Sequence, residues 1–146
     1  MDLNLVAPCG IDCANCELFA ANGRRDVWER AASRTGRPVE EMACKGCREG
    51  NGCVFFSGCE TLACVRSHGV DFCYDCADFP CRRLMPLADG AGFYPHNMKM
   101  YNLCRLKAVG FGKFLDEAPE IRKLYYNGKF RIGAGPQDSP TGDTSQ

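Results

Sequence analysis

The chain has 146 residues, a length that fits one domain or two small lobes sharing a core and excludes a large multidomain enzyme. Its 18 basic and 18 acidic side chains cancel, so no chain-wide field draws it to nucleic acid or to an anionic membrane. Its twelve cysteines reach the level that indicates either a disulfide scaffold or a metal protein.

The N-terminal sequence favours the second of these classes. Residues 1–9 carry neither a basic leader nor an apolar run as long as a secretory signal, and no run of about 18 apolar residues occurs anywhere. We therefore expect a cytoplasmic protein with no membrane partner. In that compartment thiols stay reduced, and cysteine pairs bind metal more often than they form disulfides.

The first half of the chain combines one clear helix with cysteine-bearing loops. A short helix is predicted over residues 16–21, and a capping-box pattern at Asp26 and Glu29 starts a helix over residues 27–35 that ends at Gly36. Residues 44–81 are rich in glycine and contain one short predicted helix, over residues 60–67. This stretch buries too little apolar surface to fold alone, so a bound metal is expected to stabilise it.

The second half is predicted to be helical. Asp78 is expected to cap a helix that runs through Leu84 and Leu87 and kinks or ends at Pro86. Apolar spacing predicts another helix over residues 96–109, ending at Gly110, and one or two shorter helices over residues 111–115 and 121–125, around Pro119. Residues 132–146 have the composition of a disordered tail.

We therefore expect one cysteine-rich domain over residues 1–131, with a metal-binding loop core at 44–81 and a helical segment at 82–131. The expected fold is mainly α with irregular loops, and its short helices pack around two or three cysteine-ligated zinc sites.

Two C-x2-C pairs carry the strongest metal signal. Cys44-Lys45-Gly46-Cys47 and Cys73-Tyr74-Asp75-Cys76 are separated by 25 residues. A tetrahedral zinc site needs four ligands, and each such pair supplies two from one tight turn. The spacing predicts a zinc site built from both pairs.

A third group, Cys9-x3-Cys13-x2-Cys16, has the spacing of the cluster motif of radical enzymes that cleave S-adenosylmethionine. Those enzymes need a barrel of about 200 residues, and Asn15 stands where they carry an aromatic residue before the third cysteine. We favour a zinc site that one remote cysteine completes, with an iron–sulfur cluster on the same sulfurs as the alternative.

The remaining thiols leave the grouping open. Cys53, Cys59, Cys64 and Cys81 are available to complete sites, which makes eleven candidate ligands. Two zinc ions need eight ligands and would leave three sulfurs spare, whereas three zinc ions need twelve ligands, and the twelfth could be His68, an aspartate or Cys104. We expect Cys104 to pack in the core on the apolar face of its helix. His68 and His96, at helix ends, are expected to serve as caps.

Four motifs stand in order along the chain. They are Cys9-Gly10-Ile11-Asp12-Cys13-Ala14-Asn15-Cys16, Cys44-Lys45-Gly46-Cys47-Arg48, Cys59-x4-Cys64 and Phe72-Cys73-Tyr74-Asp75-Cys76-Ala77-Asp78-Phe79-Pro80-Cys81. Together they resemble the signature of the family catalogued as domain of unknown function 3795, over about residues 5–118. The resemblance implies a small prokaryotic protein that binds zinc through these cysteines and has no established activity.

The chain departs from that family in two places. Relatives place a cysteine three residues before the position of Cys59, where this chain has Phe56, and Cys53 lies three residues earlier still. Either Cys53 reaches the metal from a longer loop or that ligand is lost. Relatives also end in another cysteine pair, for which residues 126–130 have no equivalent.

These observations predict a zinc-binding protein whose structural sites stiffen a surface for an unidentified protein or small-molecule ligand. A closed four-thiolate site has no open position for water, so an enzyme is less expected and no residue is assigned as catalytic. One alternative is a zinc-ribbon-like binder of nucleic acid. It rests on residues 82–131, whose 10 basic and 4 acidic side chains give a net charge of +6 among several aromatic residues. The other is an iron–sulfur, redox or cysteine-dependent enzyme.

Overall fold

The computed structural model describes residues 1–133 and 135–137. Within these ranges the chain is mainly helical, as predicted, with irregular loops that carry most of the cysteines. The helices are α1 (Arg25–Thr35), α2 (Glu60–His68), α3 (Met98–Val109) and α4 (Phe111–Asn127). Two small antiparallel hairpins pair β1 (Gly52–Cys53) with β2 (Phe56–Ser57), and β3 (Lys129–Arg131) with β4 (Gly135–Gln137).

Helix α1 confirms the predicted helix but not its capping box. The helix begins two residues earlier, and its N-cap residue, Arg24, makes no side-chain cap hydrogen bond. Asp26 lies inside the first turn and pairs with the guanidinium groups of Arg24 and Arg30 at 3.1 and 3.2 Å. A 3-10 turn at Val39–Met42 folds back on α1, so that two helix alanines and Met42 form a small separate core.

Two other predicted helices do not form as α-helices. In place of the helix over residues 16–21 the chain makes tight turns and one 3-10 turn at Ala20–Asn22. In place of the helix predicted from Asp78 to about Leu87, the chain makes only a 3-10 turn, Arg82–Leu84. Pro86 prevents a helix from continuing to Leu87, because a proline disfavours helical geometry in the residue before it, and Met85 is extended with φ −63° and ψ 128°.

Helices α2 and α3 follow the prediction closely, and each ends at the expected glycine, Gly69 or Gly110. The expected burial of Cys104 is wrong, because this side chain is exposed. Helix α3 buries Asn102, Leu103 and Leu106, whereas Cys104 lies on the side of the helix that faces solvent.

Helix α4 is one continuous helix, where one or two short helices were predicted around Pro119. Pro119 lies within it on an exposed face, while Phe114 and Ala118 are buried. Helices α3 and α4 form a hairpin that Arg105 and Glu117 join through two hydrogen bonds, of 2.6 and 2.7 Å. Proline lacks the N–H that would donate to the preceding turn of the helix. The burial of Phe114 and Ala118 compensates for this loss and keeps the helix continuous.

The main core joins the N-terminal segment to the helical hairpin. Its buried residues come from the first loop, from α2 and the loop after it, and from α3 and α4: Val6, Ala7, Cys9, Val65, Phe72, Cys73, Leu84, Leu103, Leu106, Phe114 and Ala118. Two cysteines are therefore part of the core itself. Packing of the loops on α3 fixes where the thiols lie.

The C-terminal end of the described chain reaches into the segment for which the composition predicts disorder. Residues Gly135–Gln137 pair with Lys129–Arg131 in the second hairpin, while 134 and 138–146 lie outside the described residues. No helix in the described ranges is both long and apolar enough to cross a lipid bilayer.

Candidate metal centres

The loop that carries Cys9, Cys13 and Cys16 is shaped by two polar side chains. The buried carboxylate of Asp12 accepts hydrogen bonds from the backbone and side-chain nitrogens of Asn15 at 3.1 and 2.9 Å, which closes the turn. The Asn22 amide donates to the carbonyl groups of Ala14 and Cys16, both at 2.8 Å. The loop is therefore ordered by its own side chains.

The turn that carries Cys44 and Cys47 lies beside this loop. The backbone of Cys44 bonds to Leu18 and Ala20 on the neighbouring segment, at 2.9 and 2.7 Å. Gly46 adopts φ +90°, and a Cβ there would lie 3.1 Å from the Asn4 carbonyl oxygen. The glycine lets the turn approach the N-terminal segment closely.

The electrostatics show which thiols are neighbours. Burial, followed by Cys47 and Cys16, raises the pKa of Cys13. Burial, followed by Cys9, raises the pKa of Cys47 to about 12, and Cys59 and Cys44 add to the effect. We call this set the N-terminal thiol group, and its members are Cys9, Cys13, Cys16, Cys44, Cys47, Cys53 and Cys59.

Cys53 and Cys16 lie at the outer side of this group. Cys53 is exposed on β1 and lines a groove of about 300 Å³ together with Cys44. Burial raises the pKa of Cys16, while the guanidinium of Arg122 on α4 lowers it and Cys44 and Cys53 raise it further. Helix α4 thus brings a cation to the edge of the N-terminal thiol group.

A second set, the cavity thiol group, surrounds a small cavity beside α2. Its members, Cys64, Cys73, Cys76 and Cys81, line a space of about 30 Å³ together with His68. Burial, followed by Cys9, Cys81 and Cys64, raises the pKa of Cys73 to about 12. Arg83 also lines the cavity, and the Glu60 carboxylate and the Cys64 thiolate raise the pKa of its guanidinium.

The two C-x2-C pairs have different surroundings in the structure. The pair Cys44 and Cys47 adjoins the N-terminal loop, whereas Cys73 and Cys76 line the cavity. The N–H of Cys73 donates to the Pro8 carbonyl at 2.9 Å, which anchors its turn on the first loop next to Cys9. Both expected zinc sites, the one built from the two pairs and the one that a remote cysteine completes on Cys9, Cys13 and Cys16, stay predictions.

One compact set of possible metal ligands combines an imidazole, a thiol and a carboxylate. Within the described residues, the only group of three or more His, Cys, Asp or Glu ligand atoms that all lie within 4.8 Å of one another is that of His68, Cys76 and Asp78. His68 ends α2, and the other two residues flank the turn after Cys73. From the sequence, His68 is expected to cap its helix, with a role as a twelfth ligand as the alternative, and no particular aspartate is assigned.

Two cations that the sequence argument missed link the thiol groups. Lys99 on α3 is only 8% exposed and lowers the pKa of both Cys9 and Cys73, against the larger effect of burial. Arg48 donates to the carbonyl groups of Leu3 and Asp71 at 3.0 and 2.8 Å and lies over the Phe72 ring. Arg48 directly follows a cysteine motif, which is the one signal that could have singled it out.

Asn102 fixes the first cysteine loop on α3. Its side-chain nitrogen donates to the Gly10 carbonyl at 2.7 Å, and the residue is 1% exposed. Replacement of Asn102 by leucine leaves that carbonyl buried without a partner, so we expect the free energy of unfolding to fall by about 1–3 kcal/mol. Urea denaturation measures the loss. Lys107→Ala, at an exposed position of the same helix, is the control, and equal stability of the two variants would refute this role for Asn102.

The comparison with known proteins adds one finding to this geometry. A family model described as "Protein of unknown function (DUF3795)" matches residues 5–86. The chain belongs to this family. The DUF3795 match spans both thiol groups and ends before α3, so it is shorter than the resemblance over residues 5–118. No curated protein and no solved structure matches the chain.

Proposed function

We propose that this DUF3795 protein binds zinc at both thiol groups and uses the metal as a structural element of a module that binds a protein or small-molecule ligand. The observation that carries the proposal is the cavity of about 30 Å³ beside α2, which four thiols and a histidine line together. A space of this size suits an ion rather than an organic substrate, since bound drug-sized ligands occupy about 300–1,000 Å³.

The chemistry of the donors fits zinc. Thiolate and imidazole are the ligands that zinc prefers in proteins, and a thiol that coordinates a metal loses its proton. Burial and neighbouring thiols raise the pKa of Cys13, Cys47 and Cys73, so these groups are protonated at neutral pH when no cation is bound. A divalent ion in each group would supply the charge that makes the crowded thiolates stable.

The surface beyond the cysteines supports a binding module. The loop between the 3-10 turn Arg82–Leu84 and α3 exposes Met85, Leu87 and Phe93, the last at 84%. The cations of the same half are partly engaged, because Arg105 is paired with Glu117 and Arg122 lies over the Tyr126 ring. A surface with exposed apolar side chains and with cations that already have partners favours a protein or small-molecule ligand over a nucleic acid.

Elemental analysis of the purified chain tests the proposal. We expect two or three zinc ions per chain, and we expect Cys76→Ser to lose one of them because it removes a donor from the cavity. Cys104→Ser removes an exposed thiol outside both groups and should keep the full count. A colourless solution accompanies zinc, whereas visible absorbance bands indicate an iron–sulfur cluster. Metal-free wild-type protein that is folded and monomeric would refute the proposal.

A further inference from the structure

His68 has the hydrogen bond that orients a metal-binding imidazole. Its Nδ1 atom lies 2.8 Å from the carbonyl oxygen of Cys64, one turn earlier in α2. A carbonyl oxygen only accepts, so Nδ1 must carry the proton, and the lone pair of the neutral ring is then on Nε2. Metal-binding histidines commonly donate their second ring N–H to a backbone carbonyl in this way.

The free nitrogen faces the other two donors. Nε2 of His68 lies 4.0 Å from Oδ2 of Asp78, and the ligand atoms of His68, Cys76 and Asp78 all lie within 4.8 Å of one another. Ligands of a tetrahedral zinc ion stand about 3.3–3.8 Å apart, given bond lengths of about 2.0–2.3 Å. Side-chain rotations alone can close a difference of about 1 Å.

Helix capping and metal binding do not compete at His68. The side chain uses Nδ1 on the Cys64 carbonyl, which also accepts from Ser67 Oγ at 2.8 Å, close to the end of α2 at Gly69. Metal binding would use Nε2. The same residue therefore ends the helix and presents a nitrogen to the cavity.

We propose that the zinc ion at the cavity has a mixed ligand set in which His68 Nε2 and the Asp78 carboxylate bind beside Cys76 Sγ, with a further cavity thiol as the fourth ligand. This inference deepens the proposed function and rests on zinc binding at the cavity. The His68 and Asp78 side chains are 44% and 80% exposed, so this ion is reachable from solvent.

The chain has only two histidines, so ¹⁵N-histidine NMR of the zinc-loaded protein tests the assignment directly. We expect one imidazole with a protonated Nδ1 and a metal-shifted Nε2, whose signals do not titrate. Those signals should disappear in His68→Ala and persist in His96→Ala, which removes the other imidazole outside the cavity. Two freely titrating histidines in protein that holds its full zinc content would overturn this inference and leave the proposed function standing.

Metal titration gives the second readout. We expect His68→Ala to weaken one zinc equivalent at least 10–100-fold and to leave the others unchanged. Asp78→Asn should weaken the same equivalent, while Asp89→Asn, at an exposed loop position, should match the wild type. Unchanged affinity of every equivalent in His68→Ala overturns the ligand assignment. Absence of zinc binding in the wild type overturns the proposed function as well, so the two failures are distinguishable.

Discussion

Removal of zinc with a strong chelator is expected to unfold this protein at room temperature. Structural zinc contributes about 10–16 kcal/mol of apparent free energy, whereas a folded domain is stable by only about 5–15 kcal/mol. Cys9 and Cys73 belong to the main core, and the Cys73 turn is hydrogen-bonded to the loop that precedes Cys9. Loss of metal therefore releases segments on which α3 packs.

Far-ultraviolet circular dichroism and a thermal melt, before and after chelation, measure this effect. We expect loss of the cooperative transition and its return when zinc is added under reducing conditions. The chelator saturated with zinc in advance is the control for nonspecific denaturation. A metal-free protein that keeps the helical signal and the melting temperature of the loaded form would contradict a structural role for the metal.

Replacement of Gly10 by alanine is expected to lower the free energy of unfolding by about 2–5 kcal/mol. Gly10 has φ +87°, which costs other residues about 1–2 kcal/mol. A Cβ atom would also stand 2.8 Å from the Lys99 carbonyl oxygen and 2.9 Å from Cγ of Leu103. Both neighbours are on α3, and Leu103 is fully buried, so overpacking adds about 1–3 kcal/mol.

Gly23→Ala is a matched control for this substitution. Gly23 also has a positive φ, +62°, but a Cβ there would meet nothing within 4 Å. It should show the conformational cost alone, about 1–2 kcal/mol. The difference between the two variants in urea denaturation isolates the close approach of the first cysteine loop to α3. Equal losses would mean that this approach contributes nothing to stability.

Local signals in the sequence were enough for the helices that end at a glycine. Gly36, Gly69 and Gly110 each follow the last helical residue, as the sequence predicted. A glycine that ends a helix acts within one turn of chain, so its effect is visible without knowledge of the fold. Pro86 acts in the same local way, because it holds Met85 in an extended conformation at the position where the predicted helix was expected to kink or end.

Helix α4 and Cys104 show where local signals fail. Pro119 suggested a break, but burial of Phe114 and Ala118 keeps one helix. The apolar character of Cys104 suggested the core, but the rotation of α3 against α4 and the first loop turns Leu103 and Leu106 inward instead. Both outcomes depend on packing partners far away in the chain.

The sequence by itself determined that this is a cysteine-rich, mainly helical chain of the DUF3795 family, and it identified the eleven cysteines of the two thiol groups. The tertiary structure decided which thiols line the cavity beside α2 and that His68 and Asp78 lie beside Cys76. The physical reason is the range of the interactions. A C-x2-C turn brings two sulfurs together by local geometry, whereas the meeting of one turn with another depends on contacts such as Cys73 with Pro8 and Asn102 with Gly10. Those contacts join residues far apart in the chain, so the spacing of the cysteines in the sequence does not predict them.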